Sequence, residues 1–110
     1  MEAITVKELL AAVHGELLQG DETAQILGVN TDSRTVKAGE VFVPLVGERF
    51  DGHDYIEKAI SAGAEGCLCA RVPETLLPGK FYIKVSDTLL ALKDLAAWYR
   101  AQFSIPFVQV

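Results

Sequence analysis

A chain of 110 residues is the size of one ordinary domain, and with 50% hydrophobic and 23% charged residues it can bury a core. That balance excludes a disordered or low-complexity chain. The formal net charge of -5, spread along the sequence rather than gathered in a tail, argues against a dedicated nucleic-acid binder, which needs a basic face.

The opening Met1-Glu2-Ala3-Ile4 has no basic region followed by an apolar stretch, so no targeting segment is read there. No window is long and apolar enough for a bilayer span, because the most apolar helix candidate, Leu89 to Phe103, is interrupted by Lys93, Asp94 and Arg100. The expectation is a soluble cytoplasmic protein without membrane partners.

In chain order, Thr5 and Glu8 form a capping box for a first helix, with Ile4 and Leu9 as its hydrophobic staple and Gly15 as its stop. His14, near the end of that helix, suits the helix dipole when charged and is given no chemistry. Glu16 to Gln19 reads as a short strand and Gly20-Asp21-Glu22 as a turn. Ile26 to Asn30 reads as a strand running into the polar segment Thr31-Asp32-Ser33-Arg34. After a turn at Lys37-Ala38-Gly39-Glu40, the nearly continuous apolar run Val41 to Val46 predicts a strand buried on both faces.

Gly47 to His53 is a loop, and Asp54 to Ala62 a helix with Ile56, Ala59 and Ile60 on one face and Gly63 at its end. Gly66 to Ala70 and Phe81 to Val85 read as strands around a Pro-containing loop. Ser86 or Asp87 caps the longest helix, whose expected apolar face is Leu89, Leu92, Leu95, Ala96, Tyr99 and Phe103, with Trp98 beside it. Pro106 forbids its continuation, and Phe107 to Val110 begins a last strand. Stopping inside an apolar strand is what a piece of a longer protein would show. Strands alternating with helices predict a single α/β domain with a mostly parallel or mixed sheet flanked by helices.

Cys67 and Cys69 point to one face of an extended segment, where a disulfide would be strained. They read as two small buried hydrophobes. A zinc site would need a second ligand pair that the chain lacks.

Two polar loops follow buried strands, and in α/β sheets ligands bind beyond the carboxyl ends of strands. Thr31-Asp32-Ser33-Arg34 offers hydroxyls, a carboxylate and a guanidinium that can fork onto a phosphate or carboxylate. The same four residues also suit a solvated turn in which Asp32 caps local N–H groups. In the second loop, Gly47 and Gly52 permit a positive φ or close backbone approach, and Arg49 is a further anion contact. Phe50 either stacks on a base or plugs the loop onto the core. The helix start near Asp54 offers free N–H groups to an anion. Asp51, His53 and Asp54 suggest either a metal site or, more commonly, helix capping and loop bracing. No Gly-x-x-x-x-Gly-Lys phosphate loop and no Gly-x-Ser-x-Gly elbow is present, so the chain shows recognition chemistry without a bond-making site.

Taken together, Thr31-Asp32-Ser33-Arg34, Lys37-Ala38-Gly39-Glu40-Val41-Phe42-Val43 and Gly47-Glu48-Arg49-Phe50-Asp51-Gly52-His53-Asp54-Tyr55-Ile56 resemble the N-terminal domain of the Mur ligases. Ala59 to Ala64, Asp87 to Leu92 and Leu95 to Arg100 follow in the family's order, so the resemblance covers essentially the whole chain. The Gly47 to Asp54 stretch, with Trp98 to Arg100 and Pro106 to Val108, is most similar to the member that adds D-alanyl-D-alanine to UDP-N-acetylmuramoyl-tripeptide. The runner-up is the member that adds a diamino acid.

The resemblance implies that residues 1–110 grip the UDP part of the substrate. Phe107 to Val110 would lead into the phosphate loop of an absent central domain that binds ATP and Mg2+, so this chain itself would bind no cofactor and be inactive alone. In the implied reaction the peptide carboxylate is phosphorylated by ATP, and the amine of D-alanyl-D-alanine displaces the phosphate. Ser33 with Thr31, Asp32 and Arg34 would contact uridine. Gly47, Arg49, Phe50, Asp51, Gly52, His53 and the following helix start would contact ribose or diphosphate. A non-enzymatic interaction module of the same fold, presenting the Trp98 region to a partner, and a metal hydrolase using Asp51, His53 and Asp54 are the other readings.

Overall fold

The computed structural model describes residues 1–103; the expected strand at Phe107–Val110 and the Pro106 helix stop lie outside them. Strand β1 (Ile4–Thr5) runs into helix α1 (Val6–Val13), where the Thr5 hydroxyl accepts the Glu8 N–H at 3.1 Å and the Glu8 carboxylate accepts the Thr5 N–H at 2.9 Å. This is the capping box expected from the sequence.

Strands β2 (Glu16–Gln19), β3 (Gln25–Ile26), β4 (Gly28–Asn30) and β5 (Glu40–Phe42) come next. A 3-10 turn (Gly52–Tyr55) then leads into α2 (Ile56–Ala62). Strands β6 (Gly66–Cys69) and β7 (Phe81–Lys84) precede the long α3 (Thr88–Phe103).

Five strands form a mixed sheet in the order β2-β7-β6-β5-β4, in which β4 to β7 are parallel and β2 is antiparallel to β7. A second, two-stranded ribbon pairs β1 with β3. Successive strand residues face opposite sides, and here both sides are buried. Val41, Val43, Leu68, Phe81 and Ile83 join Leu9 of α1 and Ala91 and Leu95 of α3 in one core. Phe42, Cys67, Cys69 and Tyr82 join Ile56, Ala59 and Ile60 of α2 in another. The two cysteines are therefore free, buried and on one face, as their spacing implied. The result is a helix–sheet–helix sandwich.

Four expectations are corrected. The first helix ends at His14, which takes the left-handed conformation (φ 55°), not at Gly15. Gly15 serves close packing instead, since a Cβ there would lie 2.4 Å from Ile83 Cγ2. The Ile26 to Asn30 strand is two strands, because the chain switches partners at Leu27 from β1 to β5.

The Val41 to Val46 strand stops laddering at Phe42; Val43 still donates to Asn30 at 2.9 Å, but Pro44 has no N–H to continue. On α3 the buried residues are Thr88, Ala91 and Leu95, whereas Leu89 and Phe103 are exposed. Asp87 is the cap, accepting the Leu90 N–H at 2.9 Å.

Candidate functional site

Adjacent parallel strands β4 and β5 end side by side, and each delivers one of the two polar loops. Beyond β4, Asn30 Oδ1 accepts the Asp32 N–H at 2.8 Å and Asp32 Oδ1 accepts the Arg34 N–H at 2.9 Å. The Arg34 guanidinium forks onto the same carboxylate, Nε to Oδ1 and Nη2 to Oδ2, both at 3.0 Å. This fork holds the Asp32 carboxyl down at about 2, with the Arg34 side chain as the main cause and its backbone N–H as the next. Asp32 therefore braces the turn, and Arg34 already has a carboxylate partner. The pair is solvent-exposed, so it orders the loop more than it stabilises the fold.

Beyond β5, Gly52 donates to the Leu45 carbonyl at 2.8 Å and Gly47 to the Phe50 carbonyl at 2.7 Å, while Val46 and Asp51 form an antiparallel bridge. The loop is thereby closed at its base, with Glu48 and Arg49 at its tip and Phe50 on the returning arm. Neither Gly47 nor Gly52 has a positive φ. Gly52 is needed for close approach: a Cβ there would meet Leu45 N at 2.8 Å and Pro44 Cα at 2.9 Å. Phe50 does not plug the core. It is 52% exposed and stacks on Tyr55, centroids 5.5 Å apart at 24°.

The two loops share one cleft of about 520 Å³. Its lining comes from Thr31, Asp32, Ser33 and Arg34 of the first loop, from Phe42 and Leu45 at and beyond the end of β5, and from Phe50, Tyr55 and Lys58 of the second loop and the helical segment after it. That volume falls within the range of small-molecule sites, about 300–1,000 Å³. The cleft combines an aromatic shelf, hydroxyls and two cations, which suits a planar base carrying a charged group. Tyr55, Lys58, Phe42 and Leu45 were not singled out from the sequence. The three-residue spacing of Tyr55 and Lys58 on one helical face, just after the loop, was the available signal.

Gly47, Arg49, Asp51, Gly52 and His53 belong to the second loop but do not line this cleft. The His53 ring is buried, its Nδ1 2.7 Å from Asp51 Oδ1 and its Nε2 accepting the Ala70 N–H at 2.9 Å. Arg71 Nη2 reaches Asp51 Oδ2 at 3.3 Å and Asp54 Oδ1 at 3.0 Å. Asp51 also accepts the His53 N–H at 2.9 Å, which is the main cause of its lowered carboxyl pKa. The helix start offered to an anion is thus a 3-10 turn already capped by Asp51. Among the described residues, no group of three His, Cys, Asp or Glu side chains is placed to hold a metal ion. No helix among them is long and apolar enough to cross a membrane.

A family model described as "Mur ligase family, catalytic domain" matches residues 25–100. The chain is 42% identical over 99 residues to the UDP-N-acetylmuramoyl-L-alanyl-D-glutamate–2,6-diaminopimelate ligase of Phocaeicola vulgatus, covering 90% of this chain and 19% of that protein. It is 40% identical over 102 residues to the UDP-N-acetylmuramoyl-tripeptide–D-alanyl-D-alanine ligase of Escherichia coli K12, covering 93% and 22%.

Among solved structures, a crystal structure of MurF from Acinetobacter baumannii matches with a TM-score of 0.83 and 30% identity over 93% of this chain and 22% of that one. The MurF ligase of Thermotoga maritima in complex with ADP matches with a TM-score of 0.59 and 32% identity over 69% of this chain and 17% of that one. The chain thus spans about a fifth of the relatives it matches. The matched family model, the curated relatives and the shared fold agree: this chain belongs to the Mur ligase family and has the fold of its N-terminal domain.

Proposed function

We propose that this domain holds the UDP moiety of UDP-N-acetylmuramoyl-tripeptide for a cytoplasmic, ATP-dependent ligase that adds D-alanyl-D-alanine in peptidoglycan synthesis. The supporting observation is the one cleft that the Thr31 to Arg34 turn lines together with Phe50, Tyr55 and Lys58. In this reading the uracil lies against the aromatic shelf, and the Thr31 and Ser33 hydroxyls meet base and sugar edges. Lys58 takes the diphosphate, joined by Arg34 if the fork on Asp32 opens. Gly47, Arg49, Asp51, Gly52 and His53 set the loop's course.

The domain's contribution is positional. Gripping a handle remote from the reacting carboxylate supplies binding energy and orientation to the chemistry. The residues present do not fit a site for ATP and Mg2+. The sequence has no phosphate loop, and the Asp32 and Asp51 carboxylates of the two loops are engaged by Arg34, His53 and Arg71. ATP and Mg2+ are assigned to other parts of the ligase.

Calorimetric titration of the 110-residue chain with UDP tests the reading. We expect weak binding that Ser33→Ala and Lys58→Ala each reduce without changing the melting temperature. No heat at millimolar UDP with folded protein would overturn it. The diamino-acid-adding ligase is the second reading, favoured by the 42% identical relative from Phocaeicola vulgatus. The two separate by which acceptor the protein carrying this domain extends, tripeptide with D-alanyl-D-alanine or dipeptide with a diamino acid.

A further inference from the structure

We infer that His53 is a positioning residue for the cleft: a neutral imidazole with its proton on Nδ1, it ties the loop that carries Phe50 to the end of β6. This rests on the cleft being the UDP site, but the tie itself is read from geometry alone.

The His53 side chain is only 2% exposed, so each ring nitrogen needs a partner. Nε2 stands 2.9 Å from the backbone nitrogen of Ala70. A backbone N–H can only donate, so Nε2 must accept and carries no proton. That assigns the proton to Nδ1, which then donates to Asp51 Oδ1 at 2.7 Å.

Asp51 is the residue that bridges Val46 and closes the base of the loop. Its other oxygen takes Arg71, the neighbour of Ala70, and Arg71 also reaches Asp54. The loop base is therefore held from behind by consecutive residues that follow β6, one through its backbone and one through its side chain. Inside the loop itself the Gly47 and Gly52 amide bonds to Phe50 and Leu45, with the stacking of Phe50 on Tyr55, hold the chain in place. His53 does not line the cleft and acts on the ligand only through where it leaves Phe50. A shift of about 1 Å at such a remote support can weaken a productive geometry severely.

A histidine that merely filled space would be replaceable by an apolar residue of similar size. His53→Leu keeps the volume and removes both bonds. We expect it to speed hydrogen exchange at the Gly47 and Gly52 amides and to weaken UDP binding about three- to tenfold, the range of one net hydrogen bond. His53→Asn, which keeps a donor near the Nδ1 position, should recover part of the exchange protection.

Native exchange and native affinity in folded His53→Leu would overturn the inference. If that variant does not fold, His53→Gln decides by the same readouts, because it keeps an acceptor near the Nε2 position for the Ala70 N–H and loses the Nδ1 donor to Asp51. Faster exchange there supports the inference, and native exchange overturns it. If the native chain binds no UDP, the assignment of the cleft fails, and the exchange measurement still decides the role of His53.

Discussion

Gly52→Ala is the sharpest structural test of how the cleft is built. An added Cβ would lie 2.8 Å from Leu45 N, 2.9 Å from Pro44 Cα and 3.0 Å from Leu45 O, all backbone atoms that cannot swing aside. Ordinary contact begins near 3.4 Å, so the loop must move off the Pro44–Leu45 segment by about 0.6 Å. That movement stretches the 2.8 Å bond from the Gly52 N–H to the Leu45 carbonyl.

Overpacking of this kind costs about 1–3 kcal/mol. Stiffening the unfolded chain offsets about 0.4–1 kcal/mol of it. The net loss is up to about 2.6 kcal/mol, and each 1 kcal/mol lowers the melting temperature of a domain this size by about 4–8 °C. Gly47→Ala is the internal control. Its Cβ would meet nothing nearer than the Phe50 carbonyl at 3.8 Å, and its φ is not positive, so its melting temperature should match the native value or exceed it. Thermal unfolding followed by circular dichroism reads both. Equal melting temperatures for the two variants would refute the reasoning.

Thr5→Ala removes the acceptor for the Glu8 N–H and should cost about 1 kcal/mol in a denaturant titration. Leu68→Ala opens a cavity under α1 and α3, where Leu68 is fully buried, and should cost about 2–5 kcal/mol in the same measurement. Arg34→Ala frees the Asp32 carboxyl, whose midpoint in a carbon-detected NMR titration should rise from about 2 toward its ordinary 3.8. The sign follows from linkage: a lowered folded pKa stabilises above the unfolded value and that contribution is lost as pH falls from 3.8 to about 2. The variant should show less of this loss, keeping the part due to the Arg34 backbone N–H, and an unchanged midpoint would show that the fork does not persist in solution.

Local signals carried most of the fold into view. The Thr5 and Glu8 box and the Asp87 cap act within one turn of chain, so their residue types alone identify them. The apolar run at Val41 pointed to a sheet covered on both faces, which the burial of Val41 and Val43 in one core and Phe42 in the other bears out. What could not be read depends on distant partners.

The buried face of α3 is offset because Thr88 and Ala91, short side chains with weak apolar signal, sit where α3 packs on α1, while Leu89 and Leu90 face outward. The single strand expected from Ile26 to Asn30 divides because β1 competes with β5 for it, a choice set by tertiary pairing. At the site, the Thr31 to Arg34 turn and Phe50 were legible as polar loops after strands. Tyr55 and Lys58 join them only because α2 folds back over the sheet, and Arg49, equally conspicuous in sequence, stays outside the cleft.

The central claim is that the two loops bind one nucleotide diphosphate between them. Following the backbone amide signals of the labelled chain during a UDP titration tests it directly. The account predicts that signals of Thr31, Asp32, Ser33, Arg34, Phe50, Tyr55 and Lys58 move together with one saturation curve. Saturating shifts confined to residues outside the cleft, or none at all, would contradict it.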